Sequence, residues 1–92
     1  MNRPAEVDLW CAVVLQAVLD IQAAAKRNGR TKYSREIIAD GIDAWKWIHS
    51  RATSVASFAW VCSAIGLSRE SVIACLRPLA GKMRYHMRRS RG

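Results

Sequence analysis

From Glu6 the apolar residues Trp10, Val13, Val14, Ala17, Val18 and Ile21 recur three and four positions apart, the period of one face of an α-helix. Pro4 suits the first turn, where a missing N–H costs nothing. Glu6 and Asp8 fall near the positive end, Lys26 and Arg27 near the negative end, and Gly29 offers a stop, so a helix is predicted over about 5–27. The next stretch, 26–35, carries five basic residues and no acid around Asn28 and Gly29, which predicts a solvated loop. A second helix is predicted from Ser34 as its cap, with Ile38, Ile42, Trp45 and Ile48 on one face and Ile37 and Trp47 beside it. Gly41 inside that helix costs about 1 kcal/mol relative to alanine. His49, Ser50 and Arg51 close it. Residues 51–57 are small and polar, and Ser54 or Ser57 can cap the third helix. From Phe58 the chain runs through Trp60, Val61, Ala64 and Ile65 at helical spacing, reaches Gly66, restarts at Ser68 and is expected to stop at Pro78. The pattern predicts an all-α fold, a small bundle of about four helices.

The last two helices meet through a short turn with glycine at the position where the chain needs positive φ, which is the layout of a helix-turn-helix. Counting from Phe58, the sites that hold such a pair together fall on Val61, Ile65, Leu67, Val72 and Cys75, and the close-approach site on the small Cys62. All are apolar. Ser68 is a natural N-cap, leaving Arg69, Glu70, Ser71, Ile73, Ala74 and Arg77 on or beside the outward face of the second helix.

The run GLSRESVIACLRPL, 66–79, resembles the recognition-helix half of helix-turn-helix regulators of bacteria and phages, a likeness that covers 22 of the 92 residues, 58–79. The order Trp45 to Ile48, then Phe58, Val61, Cys62, Gly66 and Leu67, behind a helix with Trp10 and Leu15, also resembles small uncharacterised proteins of proteobacterial prophages and mobile elements. The first resemblance implies a transcriptional regulator that sets its second helix into the major groove of double-stranded DNA. Arg69 is then the first candidate to read a base, since two hydrogen bonds to guanine O6 and N7 discriminate by about 1–3 kcal/mol. Glu70 either accepts from cytosine N4 or pairs with a neighbouring arginine. Ser68 and Ser71 suit phosphate contacts at the helix start, and Arg77 suits one at the far end. Binding as a homodimer on a palindromic site would follow, with the apolar N-terminal helix as candidate interface.

Charge supports a polyanionic partner. Fifteen Lys and Arg against seven Asp and Glu leave a net charge of +8, though nucleic acid, an anionic membrane and an acidic protein all satisfy that sign. Beyond Pro78 the bases dominate, so residues 1–81 read as one helical domain and 82–92 as a basic tail, in which Lys82, Arg84, Arg88 and Arg89 follow the DNA backbone or enter a minor groove. Met83, Tyr85 and Met87 let its first part form a short helix. With 51% hydrophobic residues the chain builds one core. The loop 26–35 is a second basic patch, which the sequence does not tie to the same face.

Several other chemistries find no support. Cys11, Cys62 and Cys75 are odd in number and contain no CxxC pair, so they read as reduced packing residues. No signal peptide is recognised, and the longest apolar stretches, 9–15 and 58–67, fall short of the roughly 20 residues of a membrane span, which points to a cytoplasmic, nucleoid-associated protein. Trp10, Trp45 and Trp60 lie on apolar helix faces, which favours core packing over base stacking, with Trp47 the most exposed of the four. His49 and His86 have no spacing to suggest a metal site or a catalytic base, so neither an enzyme nor a cofactor is expected. Two other readings share the charge pattern: a small adaptor or antiactivator binding an acidic protein, and a phage DNA-packaging small subunit.

Overall fold

A computed structural model describes residues 5–90, with side chains from Val7 to Arg89, and every element in it is helical. These are α1 (Ala5–Ala25), α2 (Lys32–Ile48), α3 (Phe58–Ile65), α4 (Arg69–Leu76), a 3₁₀ turn at Arg77–Leu79 and α5 (Ala80–Ser90). Because α4, the 3₁₀ turn and α5 follow without a break, the chain makes four rods, and the expected all-α architecture holds. The rods share one core in a globule measuring 48 × 23 × 22 Å.

The core sits where the apolar periodicity puts it. Val14, Ala17, Ile21 and Ala24 of α1 and Ile38, Ile42, Trp45 and Ile48 of α2 form one core with Phe58, Val61, Cys62, Leu76 and Met83, with Phe58 against Trp47 near one end of that helical hairpin and α5 against Ala24 at the other. Gly41, unfavourable for the helix by itself, is where α1 and α2 touch. A Cβ there would fall on the Ala24 methyl and 2.8 Å from the Asp20 carbonyl oxygen. Trp10 packs edge-on to Trp60 with centroids 5.4 Å apart, and Trp47 edge-on to Phe58 at 5.2 Å. Trp45 is buried, while Trp10, Trp47 and Trp60 are each half-buried, so all four tryptophans belong to the packing.

Local chemistry moved several boundaries. The cap of α2 is Thr31, whose Oγ1 accepts from Ser34 N at 3.0 Å. Ser34 is buried in the first turn, and its own Oγ accepts from Gly29 N at 3.0 Å. The solvated loop is therefore shorter than 26–35, because Thr31 offers the same hydroxyl cap three residues earlier. Ser57 caps α3 by accepting from Trp60 N at 3.2 Å, and Ser54 instead closes the preceding turn, its carbonyl accepting from Ser57 N at 3.0 Å. Between them Ala56 has φ +70°, a left-handed conformation costing an alanine about 1 kcal/mol. Trp47 Nε1–H donates to the Ala56 carbonyl at 3.0 Å and holds it there.

As expected, the α-helix of α4 ends just before Pro78, at Leu76, but the chain does not leave the rod there: Pro78 sits at the start of the 3₁₀ turn, where its lack of an N–H leaves no bond unmade, and α5 follows directly. The described part of the basic segment from Lys82 is helical, as Met83, Tyr85 and Met87 allow, and it is docked on the core. Met83 and His86 of α5 are buried, and His86 Nε2 lies 3.0 Å from the Ala24 carbonyl, tying α5 to the end of α1.

The apolar content of α1 is greater than the stretch 9–15 suggests, which corrects the expectation that no segment approaches the length of a membrane span. Taken as a window, 7–25 averages a hydropathy of 1.5 over 19 residues, so α1 is long and apolar enough to cross a membrane. Gln16, Asp20 and Gln22 interrupt the run without lowering its mean enough to matter. One face of α1 is committed to α2; the face opposite leaves Leu15 and Leu19 exposed by 59% and 47%, and the flank leaves Leu9 exposed by 60%.

Candidate nucleic-acid interface

α3 ends at Gly66, which takes the left-handed conformation (φ 74°, ψ 28°), and the next amide, Leu67 N–H, donates back to the Cys62 carbonyl at 2.9 Å. Ser68 then caps α4, its Oγ accepting from Ser71 N at 3.2 Å. Between α3 and the α4–α5 rod the chain turns by 118°. Of the residues expected to hold the pair together, Val61 and Cys62 are buried, and Ile65 and Val72 are half-buried against the core. Leu67 and Cys75 are exposed, and Leu76 is the residue of α4 that is buried. The inward face of α4 is thus Arg69, Val72, Ile73 and Leu76, turned by one position from the expected register.

That rotation redistributes the candidate site. Arg69 is half-buried, not presented outward: one Nη donates to the Ser50 carbonyl at 3.3 Å, and its Nε is enclosed with no hydrogen-bond partner among the described residues. It fastens the 50–57 link to α4. Ile73 is half-buried and packs on the core. Ser68, Glu70, Ser71, Ala74 and Arg77 are exposed, with Cys75 and Pro78 beside them. The outward face of α4 therefore carries one acid and one base.

The charge lies farther along the same rod. Lys82, Arg84, Arg88 and Arg89 of α5 are all exposed around Tyr85, with no acid after Glu70 in the chain. Lys82 Nζ lies 5.2 Å and Arg89 Cζ 5.8 Å from the Tyr85 ring centroid, and Arg89 donates to the Tyr85 hydroxyl at 3.3 Å. Arg84 Nε donates to the Ala80 carbonyl at 3.4 Å. Tyr85 is thus a platform that orders two cations on an exposed face.

The fold also unites two basic patches that the sequence left apart. Asn28, Gly29 and Arg35 share a cleft of about 200 Å³ with Tyr85, His86 and Arg89, floored by Ile38, Ala39 and Ile42. Arg27 stacks on Tyr33 at 5.3 Å from the same end of the molecule. Three of the acids, Asp20, Asp40 and Asp43, line a separate groove between α1 and α2. The 26–31 loop, the start of α2 and α5 together form a cation-rich end, with Glu36 the acid among them.

Two titratable groups are shifted. Burial lowers the His86 pKa below its ordinary value, partly offset by the Ala24 carbonyl, with Lys82 and Arg89 pushing it the same way as burial. Burial pushes the Cys62 thiol up, against a smaller downward pull from Arg69. No group of three or more His, Cys, Asp or Glu among the described residues is placed to hold a metal ion. Comparison with family models, with curated proteins and with solved structures gives no match.

Tyr85, Arg35 and the α5 cluster as a single face were missed at the sequence level. The signal available was the four-residue spacing of Tyr85 and Arg89, which puts them on one side of a helix.

Proposed function

We propose that this protein is a double-stranded DNA-binding transcriptional regulator that uses α3 and α4 as a helix-turn-helix. The observation that carries the reading is the combination on one rod of a capped helix set off by a 118° turn and a face of four exposed cations. That bend, taken to the whole 69–89 rod, is of the size seen between the two helices of such pairs. In this reading Ser68, Glu70, Ser71, Ala74 and Arg77 approach the major groove, and Lys82, Arg84, Arg88 and Arg89 grip flanking phosphates. Arg69 supports the shape of the site and does not read a base. The protein acts in the cytoplasm on the nucleoid, two copies to a palindromic site, without a cofactor.

Selection of bound sequences from random double-stranded DNA tests this reading. A palindromic consensus is expected, and recovery of unselected sequence at all salt concentrations would refute it.

The near-neutral outward face of α4 favours a second reading, in which the cationic end binds an acidic protein as an adaptor or antiactivator. Failure to bind DNA at low salt, together with capture of a defined acidic partner, would decide for it. A DNA-packaging small subunit would share the same surfaces but assemble into a ring, which solution mass distinguishes.

A further inference from the structure

α1 is apolar on two opposite sides. The inner row, Val14, Ala17, Ile21 and Ala24, is buried against α2, and the outer row, Ala12, Leu15 and Leu19, faces solvent between the exposed Asp8 and Gln22. Positions 8, 12, 15, 19 and 22 alternate steps of four and three, the seam of a helix that packs along a second helix. Beside the seam lies a groove of about 320 Å³ lined by Cys11, Val18, Ile65, Gly66 and Leu67.

We propose that this outer face of α1 is a homodimer interface whose occupant is the same face of a second copy in antiparallel register. The seam is self-complementary in that register. With the two-fold axis crossing α1 beside Leu15, the small Ala12 of each copy meets the large Leu19 of the other, and the two Leu15 side chains flank the axis. No lysine or arginine occurs between residues 5 and 25, so no like cations oppose each other across the seam.

The same composition speaks against a lipid surface. A helix that lies on an anionic membrane carries lysines and arginines along its polar margin. The margins here hold Asp8, Gln16, Asp20 and Gln22. Nor can α1 leave the fold to span a bilayer without breaking its contact with Gly41 and exposing the core.

Area sets the expected strength. A helix of 21 residues is about 31 Å long and roughly 10 Å wide. Alone it falls well short of the roughly 800 Å² per partner of a standard interface. The α3–α4 turn, reached through Leu67, must add to it, and the dimer is expected to be micromolar. An antiparallel two-fold lying in the interface keeps the same flank of both copies on one side, so both α3–α4 turns come to the same edge. This consequence rests on the DNA-binding reading, since it would present both α4 helices to one duplex, whereas the interface does not.

Sedimentation equilibrium on the whole chain at about 100 µM, without DNA, is the test. The wild type is expected at twice the 10.3 kDa chain mass. Leu15→Glu and Leu19→Glu, which place carboxylates at the axis and opposite Ala12, are expected to weaken association at least tenfold with unchanged far-UV circular dichroism. Leu9→Glu, on the flank away from Leu67, is expected to remain dimeric. A monomeric wild type at this concentration, dimers that survive both seam substitutions, or binding to phosphatidylglycerol vesicles that Leu15→Glu abolishes would each overturn the proposal. A dimer that binds no DNA in a mobility-shift assay would leave the interface standing and remove the regulator reading.

Discussion

Replacing Gly41 with alanine adds one methyl group at the closest contact of α1 and α2. The new carbon meets the Ala24 methyl and lies 2.8 Å from the Asp20 carbonyl oxygen, and neither neighbour can swing away, because one is a Cβ and the other is backbone. Relief requires the helices to separate along the pair that supplies most of the core. Overpacking of this kind costs about 1–3 kcal/mol, and the rigidity of both neighbours places it at the upper end. Better helix propensity returns about 1 kcal/mol. The net loss is about 2 kcal/mol, which for a domain of this size lowers Tm by about 8–16 °C. Gly81→Ala is the matched control: a Cβ there meets nothing within 4 Å, so only propensity acts and stability should rise by about 0.5 kcal/mol. Thermal and urea melts followed by circular dichroism at 222 nm read both. Gly41→Ala melting at or above the wild type, or the two substitutions shifting Tm the same way, would refute the reasoning.

Other outcomes follow from single side chains. Burial, with Lys82 and Arg89 nearby, lowers the folded pKa of His86 below its unfolded value, so its contribution is fully present above about pH 6.5 and is lost as pH falls through the folded pKa. Melts between pH 7.5 and 5 should show destabilisation that is smaller in His86→Gln, and an equal slope in both proteins would contradict this. Arg69→Ala should lower stability by about 1 kcal/mol through loss of its bond to the Ser50 carbonyl, while Arg77→Ala leaves Tm unchanged and weakens DNA binding. The reverse pattern in paired melts and mobility shifts would return Arg69 to the recognition surface. Native thiol titration should find Cys75 reacting quickly and Cys62 only on unfolding, since one is exposed and the other buried with a raised pKa.

Much of the fold was legible because apolar spacing in α1 and α2 is regular enough to fix both the helices and their buried faces. Gly66 and Ser68 were legible for a similar reason, as a left-handed turn and an N-cap each demand few residue types. The register of α4 was not. Val72, Ile73, Cys75 and Leu76 are all apolar, so composition permits more than one inward face; the structure buries Leu76 with Val72 and Ile73 against the core and bonds Arg69 to the Ser50 carbonyl on that side. The identity of the cationic face was hidden for a different reason. Arg35 and Arg89 are 54 positions apart in sequence, and only the docking of α5 through Met83 and His86 brings their ends of the chain together. The outer face of α1 was visible as excess hydrophobicity in Leu15 and Leu19, but a run apolar on both sides has no single period from which to read it.

The salt dependence of duplex binding tests the account most directly. Fluorescence anisotropy with a random double-stranded oligonucleotide between 50 and 200 mM salt should show log affinity falling linearly with log salt, each phosphate contact adding about 0.9 to the slope. Arg84→Gln with Arg88→Gln should reduce that slope by about 1.8 while leaving Tm within a few degrees of the wild type. No binding at 50 mM salt, or a slope that the double substitution leaves unchanged, would contradict the assignment of α5 as the phosphate-gripping face.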